Sequence, residues 1–212
     1  MKYYILNKYL AALSGLFLLL FLTGHLAGNL QLLIPESYGA QKKFNDYAHF
    51  MSTNPFVKVL SITTYVSIIL HVIVTLALTI SARRKRPIGY KSVKSQTNSS
   101  GSKYMGILGT VILAFIIVHL SNFWYKAKFE GETDIYYLVV SKFQHLDQVI
   151  IYIIAMMAIF FHVLHGASSG FQSLGLITSK TRKYIQLFGI LYALLIPILF
   201  AIIPIYIYLG FH

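Results

Sequence analysis

Five of the eight histidines in this chain lie in stretches of sequence that are otherwise apolar. They are His25, His71, His119, His162 and His165. A neutral imidazole can ligate a metal or a haem iron, carry a proton, or hydrogen-bond to a neighbouring helix. No Asp, Glu or Arg lies deep in any of these stretches. The positions of the histidines along the chain therefore have to distinguish between these three uses.

The composition indicates a membrane protein. Hydrophobic residues make up 57% of the chain and charged residues 11%, too few polar groups to cover a soluble domain. Five apolar stretches are long enough to cross about 30 Å of hydrocarbon as helices. They cover roughly residues 8–33, 56–82, 104–125, 146–171 and 184–209. Because lipid offers no partner to the backbone, we predict an all-α membrane protein, with residues 1–212 forming one five-helix bundle.

Charged residues are distributed unevenly between the predicted connections. All six acidic residues lie in the connections 34–55 and 126–145 or directly after the second. The other side carries Lys and Arg without acid: Lys2, Lys8, Arg83, Arg84, Lys85, Arg86, Lys91, Lys94, Lys103, Lys180, Arg182 and Lys183. Because basic loops favour the cytoplasm, we predict a cytoplasmic N-terminus and an outer C-terminus. The net charge of +12 then reflects topology, anionic lipid or an acidic partner rather than nucleic acid.

The absence of cysteine limits the redox chemistry. With no Cys in the sequence, disulfides, iron–sulfur ligation and haem attachment through C-x-x-C-H are excluded. Any redox centre must be held by histidine or carried by a partner. The first apolar stretch is too long for the apolar core of a signal peptide and lacks a small-residue cleavage site, so we predict an uncleaved helix.

Four of the histidines fall at two levels in the membrane. At 1.5 Å per residue from the predicted cytoplasmic end, His25 lies at about 26 Å and His119 at about 22 Å. By the same conversion, His71 lies at about 16 Å and His162 at about 14 Å. Each of the four comes from a different predicted helix. The sequence therefore predicts two depth-matched pairs, one in each half of the membrane.

Paired imidazoles on facing helices are what bis-histidine haem requires. The pattern therefore predicts two stacked b-type haems in the bundle. A proton relay would more often use carboxylates within the spans, and a metal transporter would tend to place its ligands at one depth. A histidine-dependent transporter is the remote alternative, and hydrogen-bonded packing is the alternative for any single histidine.

His165 lies three residues after His162, so both side chains point to nearly the same face of the helix. At about 9 Å depth, His165 is a poorer match for His71 than His162 is. His165 could bond a haem propionate, line a quinone pocket or contact a partner. A histidine in a polar helix end is the equally weighted alternative.

Other segments carry local predictions. Phe44, Tyr47 and Met51 recur at helical intervals, which predicts a short interfacial helix in the first outer connection. The stretch IYYLVVSKF is expected to lie along the membrane surface as well. Pro197 and Pro204 predict a kink or irregular backbone in the last span.

At this point the chain resembles the single-subunit, five-helix dihaem cytochrome b of succinate:quinone oxidoreductases and fumarate reductases, most of all the Bacteroidetes-like branch. The motifs are LTGHLAGNLQLL, ILHVIVT, IVHLSNFW and FHVLHGASSGFQSLGL on helices one to four, and the likeness covers nearly the whole chain. In that family one histidine from each of these helices ligates haem. The resemblance implies that His25 and His119 hold the outer haem and that His71 and His162 hold the inner haem. The family's helix-four ligand stands four residues before a small residue, which again selects His162.

The resemblance implies a membrane anchor and electron-transfer subunit of succinate dehydrogenase, complex II, in a bacterial cytoplasmic membrane. A flavoprotein with FAD and an iron–sulfur protein would dock on the cytoplasmic side, and the whole complex could be oligomeric. Electrons from succinate, which the partner subunits oxidise, would pass through both haems to quinone, expected to be menaquinone. A fumarate reductase working in the opposite direction, or the cytochrome b of a formate dehydrogenase or hydrogenase, is the alternative.

One position departs from a pattern in the family. Some dihaem fumarate reductases carry a glutamate two residues before the fourth-helix ligand, where this chain has Phe160. A transmembrane proton path through that carboxylate is therefore not expected. Asn29, Gln31 and Glu36 are candidates for an outer quinone site, and a solvated helix end is the alternative for each.

Overall fold

The computed structural model describes residues 2–84 and 100–212, and within them the chain is helical and contains no strand. The helices are α1 Lys2–Asn29, α2 Ala40–Thr53, α3 Pro55–Arg84, α4 Ser100–His119, α5 Tyr125–Phe129, α6 Ile135–Phe143, α7 Leu146–Ser173 and α8 Arg182–Tyr208. Of the predicted basic residues, Lys85, Arg86, Lys91 and Lys94 lie outside the described residues, and so do the side chains of Lys2 and Lys103.

Five helical stretches in the described part of the chain are long and apolar enough to cross a membrane. They are Tyr4–Leu33, Pro55–Arg84, Tyr104–Phe129, Leu146–Ser173 and Arg182–Tyr208. The prediction of five helices of spanning length is thus confirmed. The first stretch changes to a 3₁₀ helix at Leu30–Leu33. In the third stretch, α4 is followed by a π-helical segment, Leu120–Trp124, and by α5, so the stretch ends at Phe129 rather than at the predicted residue 125.

The helix α7 holds the bundle together, because it packs against α8, α4 and α1, while α3 packs chiefly against α1. Small residues let α7 and α8 approach closely: Ala155 and Ala167 of α7 and Ala193 of α8 are at most 4% exposed. Close van der Waals packing of this kind is the main attraction between helices in lipid, where burial of apolar surface contributes little. The four helices α1, α3, α4 and α7 carry the five histidines singled out above.

One end of the bundle is covered by α2 and α6, and we call it the capped end. Asn45 of α2 accepts a hydrogen bond from the backbone N–H of Tyr136 at 2.9 Å and donates to the Asp134 carboxylate at 2.8 Å. Gln41 donates to the other carboxylate oxygen of Asp134 at 2.7 Å. The two acid-containing connections therefore meet at the same end of the bundle.

The short helices α2 and α6 pack into the protein. Phe44 of α2 is 5% exposed, and its ring lies 6.4 Å from that of Tyr136 in α6. The helix predicted around Phe44 is thus present. More than half of α6 is buried: Tyr136, Leu138, Val139, Val140 and Phe143. This helix therefore forms part of the core at the capped end and is more enclosed than a helix lying along a membrane surface.

The last span remains helical through both of its prolines. Helix α8 runs from Arg182 to Tyr208, and Pro197 and Pro204 are both buried. Proline removes one backbone donor, and the carbonyl left free must be satisfied inside the protein rather than in lipid. Of the kink or irregular backbone expected there, the irregular backbone is absent, because the helix is unbroken at both prolines.

Candidate functional site

The structure brings four of the histidines together as two pairs, each contributed by two different helices. The rings of His25 in α1 and His119 in α4 have centroids 5.8 Å apart and planes at 88°. The rings of His71 in α3 and His162 in α7 have centroids 6.4 Å apart and planes at 75°. These are the pairings that the depths of the residues indicate.

The separations match those of two ligands on opposite sides of one metal. An imidazole nitrogen lies about 2 Å from a metal that it ligates and roughly 1 Å from its ring centre, so the two centroids are about 6 Å apart. Edge-to-face packing of two rings covers the same range, about 4.5–7 Å. The ring separation alone therefore does not distinguish metal ligation from ring packing. The hydrogen bonds made by the Nδ1 nitrogens provide the additional information.

His71 has its Nδ1 nitrogen directed at two oxygens of α1. Nδ1 lies 3.2 Å from Ser14 Oγ and 3.2 Å from the carbonyl oxygen of Ala11. A carbonyl only accepts, and the Ser14 hydroxyl donates its hydrogen to the Leu10 carbonyl at 2.6 Å. His71 must therefore carry its proton on Nδ1, which leaves the Nε2 lone pair free to ligate.

His119 has its Nδ1 nitrogen 3.1 Å from the hydroxyl of Tyr152 in α7. Several aromatic rings surround this contact, among them Phe115 at 5.8 Å and Phe123 at 5.4 Å from the His119 ring. The His25 ring stacks on Phe21 at 5.5 Å and 13°. An apolar aromatic shell of this kind suits a large planar group, since it excludes water and restrains both imidazoles.

His162 differs from the other members of the pairs, since its Nδ1 nitrogen is buried without a hydrogen-bond partner in the described part of the chain. Glycines stand beside both rings of this pair: a Cβ on Gly15 would lie 3.0 Å from His71 Cε1, and one on Gly109 would lie 3.8 Å from His162 Cε1. A buried polar atom without a partner costs free energy unless something else satisfies it. The ring separations of both pairs, and the room that Gly15 and Gly109 leave beside the inner pair, fit axial ligation of haem.

His165 lies outside the pairs. Its Nδ1 nitrogen donates to the carbonyl oxygen of Phe161, one turn earlier in α7, at 2.9 Å. The ring lines a groove of about 260 Å³ that is formed with Tyr104, Ile107, Leu108 and Phe161. The groove lies between α4 and α7, whereas His162 of the same helix contacts His71.

The three candidates for an outer quinone site lie at or near the capped end and are not brought into one cluster. Asn29 donates to the His25 carbonyl at 2.8 Å and lies beside the ring of that histidine, with Nδ2 3.5 Å from Nδ1. Gln31 lies in the 3₁₀ segment after α1. Glu36 accepts from the backbone N–H of Gln41 at 2.9 Å.

Tyr136 is the buried neighbour of Glu36 at the capped end. Burial raises the pKa of Tyr136, and the Glu36 carboxylate raises it further. The phenol is therefore protonated at neutral pH.

Sequence reasoning missed two side chains at the site, Ser14 and Tyr152. Each is the sole residue of its type in its helix, the serine of α1 and the tyrosine of α7. A lone polar side chain in an apolar helix is a signal of a buried hydrogen bond. Which histidine it contacts depends on how the helices are rotated against each other.

In the part of the chain that the structure describes, no group of three or more His, Cys, Asp or Glu residues could hold a metal ion. A histidine pair can complete only a metal that brings its remaining ligands, as the iron of a porphyrin does. Comparison of the chain with protein-family models, with curated proteins and with solved structures gave no match.

Proposed function

We propose that this chain is a dihaem cytochrome b that anchors a succinate:quinone oxidoreductase in the membrane and passes electrons between its partner subunits and quinone. One observation carries the proposal: four helices of spanning length bring exactly one histidine each into two pairs, with ring centroids 5.8 and 6.4 Å apart. Haem held by these pairs supplies one-electron redox chemistry.

The residues of the two pairs would hold the haem irons. In the inner pair, Ala11 and Ser14 fix the proton of His71 on Nδ1, which leaves the Nε2 lone pair free to ligate. In the outer pair, the Tyr152 hydroxyl contacts Nδ1 of His119. Fixing the outer nitrogen in this way sets the tautomer and makes an imidazole a stronger ligand.

Resemblance to the cytochrome b family supports the more specific parts of the proposal. A flavoprotein and an iron–sulfur protein dock on the cytoplasmic side, and succinate oxidation takes place on them. Menaquinone is the acceptor, and the membrane is the bacterial cytoplasmic membrane. The exposed Arg83, Arg84, Lys180, Arg182 and Lys183 lie on the face that the partner subunits or anionic lipid would contact.

A reduced-minus-oxidised absorption spectrum of the purified chain tests the haem proposal directly. We expect the bands of b-type haem and two haems per chain in a pyridine haemochrome assay. A chain without haem overturns the proposal and favours a histidine-dependent transporter. A chain that retains haem but purifies with a molybdenum or nickel protein in place of a flavoprotein is the cytochrome of another dehydrogenase.

Two neighbouring alanine variants test the assignment of ligands on α7. We expect His162→Ala to lose one of the two haems, because it removes the ring that faces His71. His165→Ala is the matched control, one turn away in the same helix, and should retain both haems because His165 contacts its own helix and the α4 groove. Loss of haem from His165→Ala and not from His162→Ala would contradict the assignment.

A further inference from the structure

We infer that Tyr152 is a positioning residue for the outer pair: its hydroxyl accepts the Nδ1 hydrogen of His119 and thereby directs the Nε2 lone pair of that ligand at the iron. The inference rests on the proposed function, and the contact that carries it is the 3.1 Å separation between His119 Nδ1 and the Tyr152 hydroxyl. Its consequence is that Tyr152 sets the reduction potential of one haem only.

The direction of this hydrogen bond follows from the chemistry of ligation. A neutral imidazole that ligates through Nε2 carries its hydrogen on Nδ1, so Nδ1 must donate and the phenol oxygen must accept. An acceptor on Nδ1 makes the imidazole more basic, and a more basic ligand stabilises the oxidised iron relative to the reduced iron. Tyr152 therefore lowers the potential of the haem that His119 ligates.

Tyr152 is held firmly enough to act in this way. The residue is 7% exposed, and its ring packs edge to face against Phe115 at 4.9 Å and Phe143 at 4.8 Å. The side chain of Asn122 lies beside its phenol. Packing on both sides of the ring holds the Tyr152 hydroxyl within hydrogen-bond distance of His119 Nδ1.

The π-helical segment Leu120–Trp124 places the side chain of Asn122 beside the Tyr152 phenol. Asn122 lies in this segment, one residue after Ser121, and its Nδ2 donates to Gln148 Oε1 at 3.1 Å. A π-helical turn directly after a ligand is a feature that is often found at functional sites.

The effect should be confined to one haem, because the inner pair uses different acceptors. His71 donates to a backbone carbonyl, that of Ala11, in addition to Ser14. Because none of these atoms belongs to Tyr152, a substitution at Tyr152 should leave the hydrogen bonds of His71 in place. A change at Tyr152 thus distinguishes the two haems in a redox titration.

The experiment is a spectroscopic redox titration of the purified chain carrying Tyr152→Phe, with electron paramagnetic resonance of its oxidised haems. We expect two haems per chain, one midpoint potential shifted upward with altered resonance positions, and the other unchanged. Tyr136→Phe is the matched control, since it removes a buried phenol whose polar neighbours are Glu36 and Tyr206 rather than a paired histidine, and it should shift neither potential.

Uniform labelling with 3-fluorotyrosine is a second measurement that leaves every hydroxyl in place. Fluorine makes the phenol oxygen a weaker acceptor, so the same potential should shift upward in a chain whose other residue types are unchanged. If Tyr152→Phe loses haem, this measurement takes its place as the test. Unchanged potentials and resonances in either preparation overturn the role of Tyr152. A starting protein without haem overturns the proposed function itself, which separates the two failures.

Discussion

Three of the paired histidines differ from one another in what their Nδ1 atoms contact. His71 meets a backbone carbonyl and a serine hydroxyl, His119 meets a phenol, and the Nδ1 of His162 is buried without a partner in the described chain. Because the acceptor on Nδ1 controls the basicity of a ligand, the two pairs are chemically unequal although their ring separations are similar. Two haems held by these pairs would therefore differ in reduction potential.

A glycine beside the inner pair supplies a test at the residue scale. We expect Gly15→Ala to displace the His71 ring, because the added Cβ would lie 3.0 Å from Cε1 and 3.3 Å from Nδ1. The displacement should remove one haem per chain or change its spectrum, as measured by pyridine haemochrome assay and difference spectroscopy.

Gly24→Ala is the control for this substitution, since it lies in the same helix and a Cβ there meets nothing within 4 Å. It should retain both haems and stabilise α1 by about 0.5–1 kcal/mol, the usual gain from replacing a helical glycine by alanine. Equal haem content and identical spectra in Gly15→Ala would show that the inner pair tolerates the added methyl group.

At the scale of elements, α2 and α6 are joined by one carboxylate. The Oδ1 atom of Asp134 caps α6 by accepting the backbone N–H of Tyr137 at 3.0 Å, and the carboxylate also receives the side chains of Asn45 and Gln41. Partial burial acts to raise the pKa of Asp134, but these three hydrogen bonds outweigh it and hold the pKa below its usual 3.8. The ionised form of Asp134 therefore stabilises the capped end.

Substitution of Asp134 tests this cap. We expect Asp134→Ala to lower the free energy of unfolding by about 0.5–2 kcal/mol, the usual cost of losing a helix N-cap. Asp46→Ala is the control; Asp46 pairs with Lys42 on the exposed face of α2, and exposed pairs of this kind contribute about 0–1 kcal/mol. Unfolding in mixed detergent micelles provides the measurement.

The pH dependence has a definite sign. Since the pKa of Asp134 is lower in the folded chain than its usual 3.8, its contribution is fully present above that pH and is lost as the pH falls through the folded value. The difference in stability between the unsubstituted chain and Asp134→Ala should therefore be constant near neutral pH and shrink below about pH 4. A difference that grows on acidification would contradict the cap.

At the scale of the whole molecule, charged residues distinguish the two ends of the bundle. The acid-containing connections meet at the capped end. The last residues of α3 and the first residues of α8 form the basic end, with Arg83, Arg84, Lys180, Arg182 and Lys183. The positive-inside rule predicts that the basic end faces the cytoplasm.

The absence of cysteine from the chain allows this orientation to be tested without background. We expect Lys43→Cys, on the exposed side of α2, to react with an impermeant maleimide added to intact cells. Lys180→Cys, an exposed position before α8, should react only after the cells are lysed. The opposite pattern of labelling would reverse the predicted topology.

Some features of this protein follow from the order of residues alone. Depth in a membrane is proportional to distance along a helix, so the spacing of His25, His71, His119 and His162 within apolar stretches suffices to pair them. The five spans follow from the length of those stretches for the same reason. Neither inference requires knowledge of which helices are neighbours.

Other features depend on contacts between helices. Ser14 contacts His71, and Tyr152 contacts His119, because each helix has a particular rotation about its axis. Small differences in packing determine that rotation. Similarly, α6 is enclosed at the capped end through residues of α2, more than 80 positions away in the chain. The sequence by itself determined the spans and the levels of the histidines, because these depend on distance along one helix. Only the tertiary structure decided the partners of their second nitrogens, because these depend on how separate helices face one another.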